Sequence, residues 1–321
     1  MSESGLEHSA GERVDRYKLI RPLGQGGMGE VWVAENAVMG ALVALKFLGR
    51  HRSSSAQERL LREARAAARV RHPACVQVFD VGVDKKGDPF LVMELLDGLS
   101  LADLLEQRGA LEVRQAVELG AQVADALSAA HELGIVHRDV KPDNVMLVEV
   151  DGRKVPKLLD FGVARSTEDA VKLTLDGSLV GTPAYMAPEQ ITRAETSDPR
   201  IDVWGLTVTL YEMIVGTVPF SGSGLTDVLA SVTRAEPLWP GAVPGLDTAL
   251  WRIIDRGLAK DRSARFQSAA ELSAALKDWL AQQSTGAEHA KPEATSTLAA
   301  PEEASVGFDA VIFASLGKER T

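Results

Sequence analysis

The chain has 321 residues, 45% of them hydrophobic and 25% charged, with a formal net charge of −10. That length allows one large two-lobed domain or two ordinary domains, and the acidic balance speaks against a general nucleic-acid binder, which would be basic. The single cysteine, Cys75 in the apolar run Ala74-Cys75-Val76, excludes an internal disulfide framework, leaves no zinc-ligand cluster and suits a reducing compartment.

The chain opens with MSESGLEHSAGER, which has neither a basic n-region nor an apolar h-region, and no later apolar run approaches the ~18 residues of a membrane helix. The expectation is a cytoplasmic protein with no membrane partner. Residues 1–16 are polar and are expected to be disordered. From Tyr17, YKLIRPLG reads as a strand ending in glycine. EVWVAEN and ALVALKFL read as two more strands, separated by AVMG. QERLLREARAAARV then places Leu60, Leu61, Ala64, Ala67 and Ala68 on one stripe at helical spacing. CVQVFDVGVD and PFLVMELL read as strands joined by KKGD. Residues 17–96 are therefore expected to form a small sheet with one helix.

Residues 97–280 read as mainly helical. LADLLEQRG and VRQAVELGAQVADALSAAHELG carry helical spacing, and the strand-like VMLVEV and VPKLLDFG flank a turn at DGRK. Further helices are expected in DVWGLTVTLYEMIVG, LTDVLASVTR, LDTALWRIIDRGL and SAAELSAALKDWL. Residues 281–321, rich in Ala, Pro, Glu, Ser and Thr, read as a linker or disordered tail. They close on a short apolar stretch, FDAVIFASLG, that is too short to span a bilayer. The expected fold class is α+β, with a small β-rich lobe carrying one main helix and a larger helical lobe.

Five stretches carry possible chemistry. Gly24-Gln25-Gly26-Gly27-Met28-Gly29-Glu30-Val31 lets backbone N–H groups approach phosphate oxygens without Cβ obstruction. A strand follows it rather than a helix, and no GK[ST] is present, so it is neither a dinucleotide fingerprint nor a P-loop but a flap between strands. Lys46, closing Val43-Ala44-Leu45-Lys46, either snorkels to water or is an ammonium held near phosphate by a carboxylate, Glu63 or, more weakly, Glu58. In His137-Arg138-Asp139-Val140-Lys141-Pro142-Asp143-Asn144, Asp139 can accept a proton, Lys141 can neutralise a phosphoryl group and Asn144 can offer oxygen to a hard cation. The alternative is a solvated turn, which leaves unexplained why such charges sit between apolar runs. Asp160-Phe161-Gly162 offers a second metal ligand, although the tripeptide alone is weak evidence. Gly181–Glu189 follows a polar stretch whose hydroxyls include Ser166, Thr167, Thr174 and Ser178.

In this order, GQGGMGEV, VALK, the helix glutamate, HRDVKPDN, DFG and APE resemble the signature set of protein kinases, from about Tyr17 to about Leu280. GQGGMGEV with GTPAYMAPEQ is similar to the bacterial, eukaryotic-like (Hanks-type) Ser/Thr kinases. The resemblance implies a serine/threonine protein kinase using ATP and Mg2+ on protein substrates, with autophosphorylation of its activation loop and a possible transient homodimer. It implies that Gly24, Gly26 and Gly29 cover the phosphates, and that Val31, Ala44 and Met146 sandwich the adenine with Leu23 beside them. Met93 would precede the hinge Glu94-Leu95-Leu96. Lys46 would hold the α/β-phosphates, paired with Glu63. Asp139 would be the base, Lys141 its neighbour at the phosphoryl group, and Asn144 and Asp160 the metal ligands. Thr174 and Ser178 would be candidate phosphosites that pair with Arg138, and Thr182 would shape the hydroxyl site. Glu189 would pair with Arg265, and Asp202 would brace the catalytic loop.

Three positions depart from the pattern: Thr207 where glycine is usual, Arg262 where proline is common, and Ala67 where a bulkier residue often sits. A pseudokinase scaffold usually lacks one of Lys46, Glu63, Asp139, Asn144 or Asp160, and all are present. A small-molecule kinase of related fold is disfavoured by the APE segment and its expected partner Arg265.

Overall fold

The computed structural model describes residues 6–26, 29–48, 54–160, 183–193 and 197–288. Among these, the amino-terminal part is a six-stranded antiparallel sheet in the order β1-β2-β3-β4-β6-β5. Its strands are β1 (Arg13–Val14), β2 (Tyr17–Gly26), β3 (Gly29–Asn36), β4 (Leu42–Phe47), β5 (Val78–Val83) and β6 (Pro89–Met93), with helix α1 (Ser54–Ala67) between β4 and β5. Alternation along β3 separates two apolar layers. Trp32 and Ala34 join Tyr17, Leu19, Phe47 and Phe90 on one face, while Val31 and Val33 join Leu23, Ala44, Met93 and Met146 on the other.

Residues 6–16, expected to be disordered with the rest of 1–16, are folded onto this sheet. Val14 and His8 are buried, and β1 pairs Arg13 with Lys18 and Val14 with Tyr17. The polarity that suggested disorder is met by partners distant in sequence.

The carboxyl-terminal part opens with a three-stranded sheet in the order β7-β8-β9, from β7 (Gly98–Ser100), β8 (Val145–Val150) and β9 (Arg153–Leu158). Its α-helices among the described residues are α2 (Leu101–Arg108), α3 (Val113–Glu132), α4 (Pro188–Arg193), α5 (Arg200–Val215), α6 (Leu225–Arg234), α7 (Thr248–Gly257) and α8 (Ala269–Glu288). Side-chain caps start three of them. The Ser100 hydroxyl accepts from Asp103 N–H at 3.0 Å, Glu112 accepts from Arg114 and Gln115, and Asp247 accepts from Leu250 at 2.7 Å. Helix α5 is mostly apolar and is buried on every side from Ile201 to Ile214, so it forms the axis of this lobe. Helix α8 runs eight residues past the boundary expected at 280.

The two parts meet along the chain before β5. Cys75 bridges Leu158 of β9, Val76 N–H donates to Leu158 O at 3.0 Å, and Leu158 N–H donates to Ala74 O at 2.8 Å. This ties the sheet and β9 into one frame around a cleft.

Candidate active site

The cleft between the lobes is lined by Val31, Ala44, Lys46, Val76, Met93, Glu94, Leu96, Leu159 and Asp160. Its walls are mostly apolar with a few charged groups, the composition of a small-molecule site. Leu23 and Met146 belong to the same apolar cluster. The flap residues pair as the legs of a hairpin, with Gly24 opposite Val31, Gln25 opposite Glu30 and Gly26 opposite Gly29. Gly29 has φ +116, a conformation closed to side-chain-bearing residues at small cost.

Lys46 is 5% exposed and sits on β4 opposite Val31. A buried ammonium needs a carboxylate, and Asp160 supplies it, with Nζ to Oδ2 at 2.6 Å. Here the expected pairing differs. Glu63 of α1 is half-buried, and its carboxylate lies 3.7 Å from Arg138 Nη1 of the loop below. The cause is visible in the charges: the shorter Asp160 side chain occupies the ammonium, and the guanidinium offers Glu63 another partner. Asp160 adopts φ +54 and Arg138 φ +70, left-handed conformations that are rare for such residues and mark a held geometry.

At the hinge, Glu94 does more than pass its backbone along the cleft. Its carboxylate accepts from Gln77 N–H at 2.7 Å and from Lys157 Nζ of β9 at 2.8 Å. It thus links the sheet to the lower lobe.

The floor is the loop His137–Asn144. His137 is fully buried, and its Nδ1 accepts from Asp139 N–H at 3.3 Å, so its Nε2–H donates to Leu159 O at 2.5 Å. Asp202 of α5 accepts from the backbone N–H of His137 and of Arg138, each at 2.7 Å, and lies 2.8 Å from His131 Nε2. Asn144 directs Nδ2 to Asp139 O at 2.7 Å and to Asp139 Oδ2 at 3.1 Å, which leaves its Oδ1 as an acceptor. Lys141 Nζ is 3.6 Å from Asp139 Oδ2. The loop therefore gathers a carboxylate, an ammonium and an amide within a few ångströms.

A lower tier holds the floor. Gln190 donates to Arg138 O at 3.2 Å and accepts from Ala187 N–H at 2.8 Å. Glu189 meets Arg265 in a two-pronged pair at 2.6 and 2.8 Å, and the fully buried guanidinium lies over Trp204 and donates to Ala259 O. Gly205 of α5 lies against the loop, where a Cβ would come within 2.9 Å of Val140 O. Thr207 closes its hydroxyl on Val203 O at 2.7 Å and faces Gly257. Arg262 meets Asp198 at 3.0 Å, and Arg200 reaches the same carboxylate. The Arg200 hydrogen bond, with Arg262 nearby, holds the Asp198 carboxyl below its ordinary range. Ala67 packs in the main core.

Sequence reasoning missed Lys157, Gln190, His131 and Gln77, since each acts on a residue far along the chain. Phe161, Gly162, Thr174, Ser178 and Thr182 lie outside the described residues. Asp160 and Asn144 are the candidate cation ligands. One carboxylate and one amide suit magnesium, which takes few protein ligands beside phosphate oxygens. Among the described residues there is no group of three His, Cys, Asp or Glu that could hold a metal, and no helix long and apolar enough to cross a membrane.

Residues 17–276 match the model of the protein kinase domain family. The chain is 38% identical over 277 residues to the serine/threonine-protein kinase PknE of Mycobacterium tuberculosis, covering 86% of this chain and 48% of that protein. It is 37% identical over 268 residues to PknB of Mycobacterium leprae, covering 82% and 42%. The crystal structure of the Mycobacterium tuberculosis PknI kinase domain superposes with a TM-score of 0.66 at 28% identity, covering 84% of this chain and 99% of that one. The chain thus spans about half the length of the curated relatives it matches.

Proposed function

Because the chain belongs to the protein kinase family, we propose that it transfers the γ-phosphoryl group of Mg-ATP to serine and threonine hydroxyls of protein substrates. The observation that carries this reading is the convergence of Asp139, Lys141 and Asn144 on one loop, whose Asn144 O accepts from Leu159 N–H at 2.8 Å, next in the chain to the Asp160 that pairs with Lys46 in the cleft.

In this reading the lobes are residues 17–96 and 97–280. Leu23, Val31, Ala44 and Met146 enclose the adenine, and Met93 and the backbone of Glu94 to Leu96 read its edge. Gly24, Gly26 and Gly29 cover the phosphates. The substrate oxygen attacks the γ-phosphorus as the bond to the β,γ-bridging oxygen breaks, and Asp139 accepts the hydroxyl proton. Lys141 lies beside that carboxylate, placed to offset charge on the transferring group. Magnesium held by Asn144 and Asp160 supplies charge neutralisation on the phosphate oxygens when bound.

The pairing of Lys46 with Asp160 is then a resting arrangement, and binding Mg-ATP frees Lys46 for phosphate and for Glu63. Thr174 and Ser178 are the proposed autophosphorylation sites, reached in a transient homodimer, and Thr182 shapes the hydroxyl site. A cytoplasmic location suits a domain that consumes ATP.

The test is the intact mass after incubation with Mg-ATP, beside Lys46→Ala. Added phosphate on the wild type alone supports the reading. No added phosphate on the protein, or on a generic protein substrate supplied with it, would overturn it. Asp139→Asn should cut turnover by about 10²- to 10⁴-fold while ATP binding stays near the wild-type value.

A further inference from the structure

Glu30, at the root of the glycine flap, buries its carboxylate on the face of β3 opposite the cleft. It is 5% exposed and lies beside Trp32, whose Nε1 donates to it at 3.0 Å. Burying a carboxylate is costly unless donors surround it. The remaining donors come from more than twenty residues upstream. Glu7 N–H bonds to Oε1, and His8 Nδ1 lies 3.2 Å from Oε2, which requires the ring nitrogen to donate.

His8 is itself 6% exposed. Its ring stacks on Phe47 of β4 at 3.6 Å with planes 9° apart. Its other nitrogen faces Asp84 at 3.8 Å, the residue whose second oxygen accepts from Lys86 and Asp88 N–H in the β5–β6 turn. Further along, Gly11 N–H donates to Leu19 O at 2.8 Å, Leu19 N–H donates to Glu12 O at 2.9 Å, and Leu6 packs on the outer apolar layer. Leu6 to Glu12 therefore lies as a strap across β2, β3, β4 and the β5–β6 turn.

We infer that this strap presets the glycine flap, and that His8 is a positioning residue for the nucleotide, acting through Glu30. Glu30 follows Gly29 directly and stands opposite Gln25, so whatever fixes Glu30 fixes one leg of the flap. Gly24, Gly26 and Gly29 have no side chains with which to anchor themselves. A flap ordered only on binding would charge that ordering against ATP affinity, and a leg fixed beforehand lowers the cost. The strap touches no group of the phosphoryl-transfer step, so its effect falls on KM for ATP and spares kcat. The inference rests on the proposed reading of Gly24–Gly29 as the phosphate cover.

Two variants separate positioning from mere anchoring. His8→Phe keeps an aromatic ring to stack on Phe47 and removes the donor to Glu30. His8→Asn keeps a donor near the Nδ1 position and removes the ring. The readouts are Kd for a fluorescent ATP analogue, KM and kcat for ATP, and the melting temperature. His8→Phe should weaken binding and raise KM by about 5- to 10-fold with kcat within about twofold, while His8→Asn stays near the wild-type affinity even where it melts earlier. Wild-type affinity in His8→Phe would overturn the inference. So would affinity falling in parallel with melting temperature in both variants, because that is the signature of an anchor alone. If His8→Phe does not fold, Glu30→Gln, which sets an amide against the donors of His8 and Trp32, must show the same KM rise or the inference fails. A wild type that binds no ATP analogue would instead sink the reading of the cleft itself.

Discussion

Below the cleft, the loop His137–Asn144 rests on buried partners: Asp202 takes two of its N–H groups, His137 holds Leu159 O, and Gln190 holds Arg138 O. Above it, Lys46 is held on Asp160 in a buried pair at 2.6 Å, while Glu63 of α1 reaches Arg138 at 3.7 Å with both side chains partly exposed. A pair of that length and exposure is worth under about 1 kcal/mol. Breaking one of the buried floor contacts costs several times as much. The difference teaches where the protein keeps its rigidity and where it keeps its freedom: the loop that carries Asp139 has a fixed frame, and α1 above it is joined by a pair that can be exchanged.

The largest effect should come from below. Glu189→Ala strands the fully buried Arg265 guanidinium and should cost about 3–5 kcal/mol in urea unfolding. A loss under about 1 kcal/mol would remove the claim of a braced floor. Next comes the packing beneath α5. Gly257→Ala would set a Cβ 2.3 Å from Thr207 Oγ1 and should cost about 1–3 kcal/mol by thermal melting. Thr207→Gly in the same chain should recover most of that. Additive losses would mean the two positions are not matched.

Much of this contrast was legible in the sequence and part of it was not. Asp139, Asn144, Asp160 and Lys46 could be singled out as candidates because each lies in a short motif and the motifs fall in a recognisable order. Thr207 could be noticed as a departure but not explained, since the glycine that makes room for it, Gly257, lies on another helix. Arg262 likewise gained its meaning only when Asp198 appeared beside it. The pairing of Lys46 with Glu63 was implied by the family resemblance, and a resemblance of motifs does not register that Arg138 lies within reach of the same carboxylate. The amino-terminal strap read as disorder because its polar residues are satisfied by Glu30 and Asp84, far along the chain. Local patterns single out candidate groups, while long-range contacts decide how each is held.

Two smaller effects sharpen the comparison from the roof and from the rim. Glu63→Gln should change stability by less than about 1 kcal/mol yet lower turnover about tenfold or more, because in the proposed reading its pair with Lys46 forms only in the working state. Equal turnover in the variant would show that Glu63 stays on Arg138 throughout. Asp198, held below its ordinary range by Arg200 with Arg262, contributes stability that is present above the unfolded carboxyl value of about 3.9 and lost as pH falls through the lower folded value. Asp198→Asn should therefore reduce the loss of melting temperature below about pH 4. An unchanged acid limb would mean the two arginines contribute nothing there.

The most direct test of a fixed floor beneath an exchangeable roof is backbone hydrogen exchange with and without a non-hydrolysable Mg-ATP analogue. The account predicts that amides of 137–144 and of α5 are slow to exchange before the nucleotide is added and change little, while amides of α1 and of the β2–β3 flap gain protection. Fast exchange in 137–144 without nucleotide, slowed by it to the same degree as the roof, would contradict the account.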